Sequence, residues 1–318
     1  MKKFDVIALG ELLIDMTDNG VSGQGNTLFE ANPGGAPCNV LAMLTKLGYK
    51  TGFIGKVGED LFGRKLKSVL EEVGIDTSNL CVDTECRTTL AFVETKEGGD
   101  RDFSFYRNPG ADMQLKKEDI HVELLEQTKL FHFGTLSMTH EEVREATRFA
   151  VEYAKEQGAL ISFDPNIREP LWSSMDLARK QVEYGLGMCD ILKISDNEIV
   201  WLTGEEDYSK GVAKLKEKYD IPLILVSMGK EGSRAYYKDS MVEKAAFVQP
   251  NTIETTGAGD TFMGCVLHKV LQDGLENLKE EQLDEMLTFA NAAASLITTR
   301  KGALRVMPEE HDIREMIG

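Results

Sequence analysis

"TTGAGDTFMGCVLHKVL", residues 255–271, places two glycines and an aspartate where a loop becomes a long apolar helix. A helix N-terminus carries unpaired backbone N–H groups and roughly half a positive charge. Gly257 and Gly259 lack the side chains that would keep a bulky anion from those groups. Residues Gly257, Ala258 and Gly259 therefore form an expected anion hole, suited to a phosphoryl group gaining charge during transfer. Asp260 either begins the helix or accepts a proton from an attacking hydroxyl. The helix dipole favours its ionised form. Two competing phosphate motifs do not fit. A dinucleotide fingerprint needs a third glycine where Phe262 stands, and a Walker A loop needs Gly-Lys-Ser/Thr, which the chain lacks.

Outward from this stretch, short β-rich apolar runs alternate with helical patterns. "DVIALGELLID", "KTGFIGKVG", "LFHFGT", "ALISFDPN", "DILKIS" and "LILVSMG" read as strands ending in Gly, Asp, Asn or Ser, with helix-period segments between them. The rhythm predicts an α/β fold: a mostly parallel central sheet with helices on both faces and a ligand at the carboxyl ends of the strands. Residues 87–112 break it. "RTTLAFVETKEGGDRDFSFYRNPGAD" alternates apolar and polar residues about a Gly-Gly turn and predicts a β-hairpin that no helix covers. Thr89, Ala91, Val93, Phe103 and Phe105 are candidates for its two faces. Such a hairpin serves as a lid or as a pairing edge. With no repeat or linker, residues 1–318 read as one domain, its lid formed mainly by 87–112 with a contribution from about 12–31.

The 318 residues are 42% hydrophobic and 28% charged, as in an ordinary soluble protein, and no run approaches a membrane span. Acidic residues at 5, 11 and 15 interrupt any secretory apolar core at the start. Five scattered cysteines without a Cys-x-x-Cys pair argue against a disulfide framework or a zinc site and point to a reducing cytoplasm. A formal charge of −17 argues against nucleic acid as a partner. An anionic substrate must then be met by a strong local positive field.

"TTGAGDTF" resembles the C-terminal motif of the ribokinase-like (pfkB-type) carbohydrate kinases, and "NPGGAPCNVLAMLTKLGYKTGFIGKVGEDLFG", residues 32–63, resembles their N-terminal motif. The resemblance runs nearly end to end. It implies an ATP- and Mg²⁺-dependent sugar kinase with Asp260 as catalytic base over the anion hole at 257–259. It implies that Asp15, read as the end of the first strand, accepts sugar hydroxyls, and that Gly34, Gly35 and Asn39 belong to the sugar site. A glycine pair lets a polyol approach the backbone, and Asn39 offers both donor and acceptor. Cys38 beside them reads as a small packing residue, with a reactive thiol as the alternative.

On the nucleotide side the resemblance points to Lys193, Ser227, Gly229 and Gly232 ("SMGKEG") and Asn291. "SDNE", 195–198, matches a motif usually written Asn-x-x-Glu, which orders Mg²⁺ and phosphates through water. Glu198 is kept and Ser195 replaces the Asn. Thr256, Glu254 and Gly302 ("RKGA") mark a candidate monovalent-cation site for K⁺. Many relatives carry Asp where this chain has Glu254.

"GGAPCNV", "FYRNPGAD" and "FDPNIREPLW" resemble the fructokinase branch most. That branch implies Arg107 from the hairpin and Arg168 after the strand ending at Asp164 as donors to the sugar. A 2-keto-3-deoxygluconate kinase, or another ribokinase-family sugar or nucleoside kinase, is the alternative. Relatives also imply a homodimer whose lids pack together above the two active sites. A sugar- or nucleotide-binding regulator without catalysis is the reading from another class, and the intact Asp260 argues against it.

Overall fold

The computed structural model describes residues 2–95 and 101–318. In chain order the strands are β1 (Phe4–Leu9), β2 (Leu13–Val21), β3 (Thr27–Gly34), β4 (Thr51–Gly58), β5 (Asp76–Asp83), β6 (Leu90–Thr95) and β7 (Arg101–Tyr106). They continue with β8 (Thr128–Gly134), β9 (Leu160–Asp164), β10 (Ile191–Ser195), β11 (Leu223–Ser227), β12 (Ser233–Tyr237) and β13 (Ser240–Lys244). Nine of them form one sheet in the order β13-β12-β11-β10-β9-β8-β1-β4-β5, all running the same way except β12, which is antiparallel to both its neighbours. Helices cover both faces, so the central strands are nearly continuous runs of buried apolar residues, such as Leu-Ile-Leu-Val in β11. One core gathers Val6, Phe53, Leu130 and Leu225 under the helices Ala36–Lys46, Ala258–Asp273 and Glu280–Ile297. The other gathers Phe131, Phe133 and Phe163 under the helices Glu141–Glu156 and Met175–Met188.

The first apolar run is not the single strand its composition suggests. At Gly10–Leu12 the chain leaves β1, and β2 enters a second sheet of order β3-β2-β6-β7. Asp15 therefore stands on β2 of the small sheet and not at the end of the first strand. This also corrects the picture of an isolated hairpin: β6 pairs in parallel with β2, and a lone pair of strands would be marginal in water. The expected Gly-Gly turn at 96–100 and the side chain of Phe103 lie outside the described residues. The register puts Ala91 and Phe105 beside Asp15 on one face, while Leu90, Phe92 and Tyr106 fall on the other. Thr89 precedes the strand and donates to Asp112.

Candidate active site

The helix Ala258–Asp273 begins at Gly257, whose φ of 76° is the left-handed region that glycine reaches without strain. The helix is buried along most of its length because it packs against the helix Ala36–Lys46. A side chain at Gly264 would press on Met43 at 2.7 Å, so glycine there lets the two helices close together. That approach brings Asn39 to Asp260, and Asn39 Nδ2 donates to Asp260 Oδ2 at 2.8 Å. The side-chain amide oxygen of Asn39, Oδ1, is buried without a hydrogen-bond partner.

A cavity of about 400 Å³ lies at the carboxyl ends of the strands, between the main and the small sheet. It brings together Asp15, Gly35, Asn39, Arg168, Lys193, Thr256, Gly257, Gly259 and Asp260. Gly34 sits directly under the Asp15 carboxylate, where any side chain would overlap it. Lys193 Nζ pairs with Asp164 Oδ2 at 2.9 Å and faces Gly259, where an added Cβ would lie 3.2 Å from it. Burial opposes the charge on Lys193, but Asp164 and Glu198 outweigh it and raise its pKa. The protein thus keeps a cation beside the glycine-rich start of this helix despite its net negative charge.

Asp260 differs from the expectation of a dipole-favoured anion. Burial raises its pKa above the ordinary carboxylate value, against the opposing pull of Asn39, Lys193 and Arg168. A proton acceptor gains from that shift, since a more basic carboxylate takes a proton more readily. Within the hole, the Ala258 N–H is already bonded to the Thr255 carbonyl. The N–H groups of Gly259 and Asp260 have no partner within the helix.

Several expected site residues stand elsewhere. Arg107 does not reach the cavity: it is buried, pairs with Asp112 at 2.7 Å, and donates to Thr139 Oγ1 and the Leu136 carbonyl. With three of its N–H groups bonded inside the protein and its side chain 2% exposed, the guanidinium braces the cavity wall at Leu136 from behind. Asn291 accepts from Ser233 and donates to the carbonyls of Lys244 and Ala245, so its amide ties the Glu280–Ile297 helix to the sheet rather than facing a nucleotide. Glu198 accepts from the N–H and hydroxyl of Ser195 and from Ile167 N–H, a capping box that holds its helix start. One acceptor direction, on Oε1, is left. Ser227 pairs in register with Ser195, and Gly229 and Gly232 follow along the same edge, outside the cavity. Glu254 accepts from Gly302 N–H at 2.9 Å, joining two loops. Cys38 is fully buried, and burial pushes its thiol far up, so it is a packing residue.

Phe105, a candidate for one face of the hairpin, lines the cavity; Glu11, Leu136 and Asn166 line it too and were not singled out from sequence. The signals were an acid inside an otherwise apolar run for Glu11 and, for Asn166, the Asp-Pro-Asn that follows β9.

A nine-stranded α/β sheet, a small covering sheet and a glycine-fronted carboxylate define a sugar kinase of the ribokinase fold. Residues 3–310 match the pfkB family carbohydrate kinases, and the chain belongs to that family. It is similar to the probable fructokinase-2 of Arabidopsis thaliana, 41% identical over 96% of this chain and 93% of that protein. Among solved structures it resembles a fructokinase with bound ATP from Xylella fastidiosa, with a TM-score of 0.88, 29% identity and 98% of each chain covered. A fructokinase double mutant from Vibrio cholerae O395, solved with fructose, ADP and potassium ion, gives a TM-score of 0.88 at 28% identity over 100% of each chain.

Proposed function

We propose that the protein is an ATP-dependent fructokinase, carrying the γ-phosphoryl group of ATP to the primary hydroxyl of D-fructose to give fructose 6-phosphate and ADP. The observation that carries the reading is Asp260 at the glycine mouth of a cavity that also holds Asp15 and Asn39. Asp15 and the unpartnered side-chain oxygen of Asn39 accept sugar hydroxyls, and Arg168 donates. Asp260 takes the hydroxyl proton as the oxygen–phosphorus bond forms, and the bond to the ADP oxygen breaks. The Gly259 and Asp260 N–H groups and Lys193 stabilise the charge gathering on the phosphoryl oxygens.

Mg²⁺, when bound, would neutralise the phosphates, and the remaining acceptor of Glu198 would hold it through water, while Lys193, itself a cation, meets phosphate oxygens instead. The Glu254–Gly302 link draws together two loops that fit a monovalent cation such as the potassium of the Vibrio cholerae structure. Residues 1–318 act as one kinase domain with the small sheet as its lid. The outer face of that sheet carries a chain of rings, Phe29–Phe92–Tyr106, each neighbour 5.2 Å apart, with Tyr106 67% exposed. An apolar face of this kind supports a homodimer through the lids. Five free cysteines and the lack, among the described residues, of a helix able to cross a membrane support a cytoplasmic setting.

The sugar acid of the alternative reading fits less well. Among the described residues lining the cavity, Glu11, Asp15 and Asp260 face only Arg168 and Lys193, and Lys193 is already paired with Asp164. The carboxylate of the sugar acid would enter a field of like charge. The test is turnover with Mg-ATP over D-fructose, 2-keto-3-deoxygluconate, ribose and aminoimidazole riboside. D-Fructose should give the highest kcat/KM; a higher value for 2-keto-3-deoxygluconate reverses the assignment.

A further inference from the structure

Behind the sugar side of the cavity lies a second, much smaller one of about 10 Å³, room for one water-sized group. Glu11, Ala36, Leu136 and Asn166 are walls of both, so the small space is an annex of the large one. His132, Thr135 and Asp164 close its far side. Two of these groups have their hydrogen bonds directed elsewhere: His132 Nδ1 meets Ser162 Oγ at 2.8 Å, and Thr135 Oγ1 donates to the Pro165 carbonyl. Asp164 differs. Only 3% exposed, it spends Oδ2 on Lys193 and leaves Oδ1 buried with no partner. An unpartnered buried carboxylate oxygen is a costly arrangement, and a polar space of one-water size beside it is the natural relief.

Glu11 is the partition between annex and cavity. It is 4% exposed, and its Oε1 accepts from Ala36 N–H at 2.8 Å, at the start of the helix that carries Asn39. Gly35, which caps that helix, has no side chain to do so, and Glu11 takes over the task. Burial pushes the Glu11 carboxyl up to about 7 and that of Asp164 up to about 6, in a neighbourhood that also holds Arg107, Asp112, Cys38 and Lys193. Burial lowers His132 to about 3, so that wall is neutral. The unpartnered Asp164 Oδ1 is therefore the acceptor in the annex that calls for a donor.

We propose that the annex is a hydroxyl subsite of the sugar pocket, with Glu11 as its positioning residue and a single O–H group donating to Asp164 Oδ1. The inference rests on the sugar-kinase reading and adds a third point of sugar recognition to Asp15 and Asn39. The O–H belongs either to the sugar or to a resident water that a sugar hydroxyl then meets.

Glu11→Gln, which keeps an oxygen for the Ala36 N–H, separates these cases when assayed with D-fructose and its monodeoxy analogues. The variant should raise the sugar KM by about 10- to 100-fold, the scale of one hydrogen bond to a charged group, and leave the ATP KM within about 2-fold. One deoxy sugar that is weak on the wild type and no weaker on the variant identifies the sugar hydroxyl as the occupant. An equal loss for every analogue identifies the water. An unchanged sugar KM, or a parallel fall in kcat and both affinities, overturns the subsite. A crystal structure of the wild type soaked with D-fructose reads it without a variant: an oxygen bonded to Asp164 Oδ1 is expected, and a vacant annex overturns the proposal. Wild type that fails to phosphorylate fructose while the annex holds a water would sink the fructokinase reading and leave the subsite standing.

Discussion

Replacing Asn39 by leucine tests how the site tunes its base. The leucine keeps the branched shape of asparagine in the helix Ala36–Lys46 but removes the donor that meets Asp260 Oδ2 at 2.8 Å. A hydrogen bond to a charged group contributes about 1.5–3 kcal/mol. This one favours the ionised carboxylate, and one pKa unit corresponds to about 1.4 kcal/mol, so its loss should raise the Asp260 pKa by about 1–2 units. The sign is fixed by the chemistry. Asp260 accepts a proton only when ionised, so turnover falls as pH drops through its pKa, which burial already holds above the ordinary value. In the variant the acid limb of the kcat–pH profile should move upward by about 1–2 pH units. Asn39 also lines the cavity, so the plateau and the fructose KM should change too; the position of the limb is the readout. A limb at the wild-type pH, in an enzyme whose turnover still depends on Asp260, would refute the claim that Asn39 holds the base.

Gly257→Ala forces a side chain into the left-handed region and to 2.8 Å from the Ala303 side chain, and should cost about 1–2 kcal/mol in urea unfolding together with a fall in kcat. Unchanged stability and turnover would show that the loop tolerates a side chain there. Asp15→Ala should raise the fructose KM by about 10- to 100-fold with little change for ATP; equal effects on both substrates would remove Asp15 from the sugar site. Light scattering should report a dimer at micromolar concentration, converted to monomer by Tyr106→Glu on the outer lid face. A monomeric wild type would refute the dimer.

The main sheet was legible because its central strands are buried on both faces and read as unbroken apolar runs, as in β9 to β11. The small sheet was only half legible. Its hairpin alternates visibly, but β2 continues the apolar run of β1, and in "LGELLID" only Gly10 and Glu11 mark the change of sheet between Leu9 and Leu13. The hydrogen-bonding partner of a side chain is the other thing a sequence does not print. Arg107 and Asn291 have the right types for ligand contacts, yet Asp112, Thr139 and the carbonyls of β13 and the loop after it take up their donors. Glu11 escaped notice for the converse reason. Its role depends on Ala36, which lies 25 residues away and becomes its neighbour only when the chain turns back after β3.

The most direct test of the central claim is the turnover of Asp260→Asn at saturating Mg-ATP and D-fructose, with binding of each substrate measured separately by calorimetry. The amide keeps the shape of the carboxylate and loses its basicity. If Asp260 takes the hydroxyl proton, kcat should fall by about 10²- to 10⁴-fold, the usual size of a general-base contribution, with both substrates still bound. An Asn variant that binds both and turns over near the wild-type rate would contradict the account.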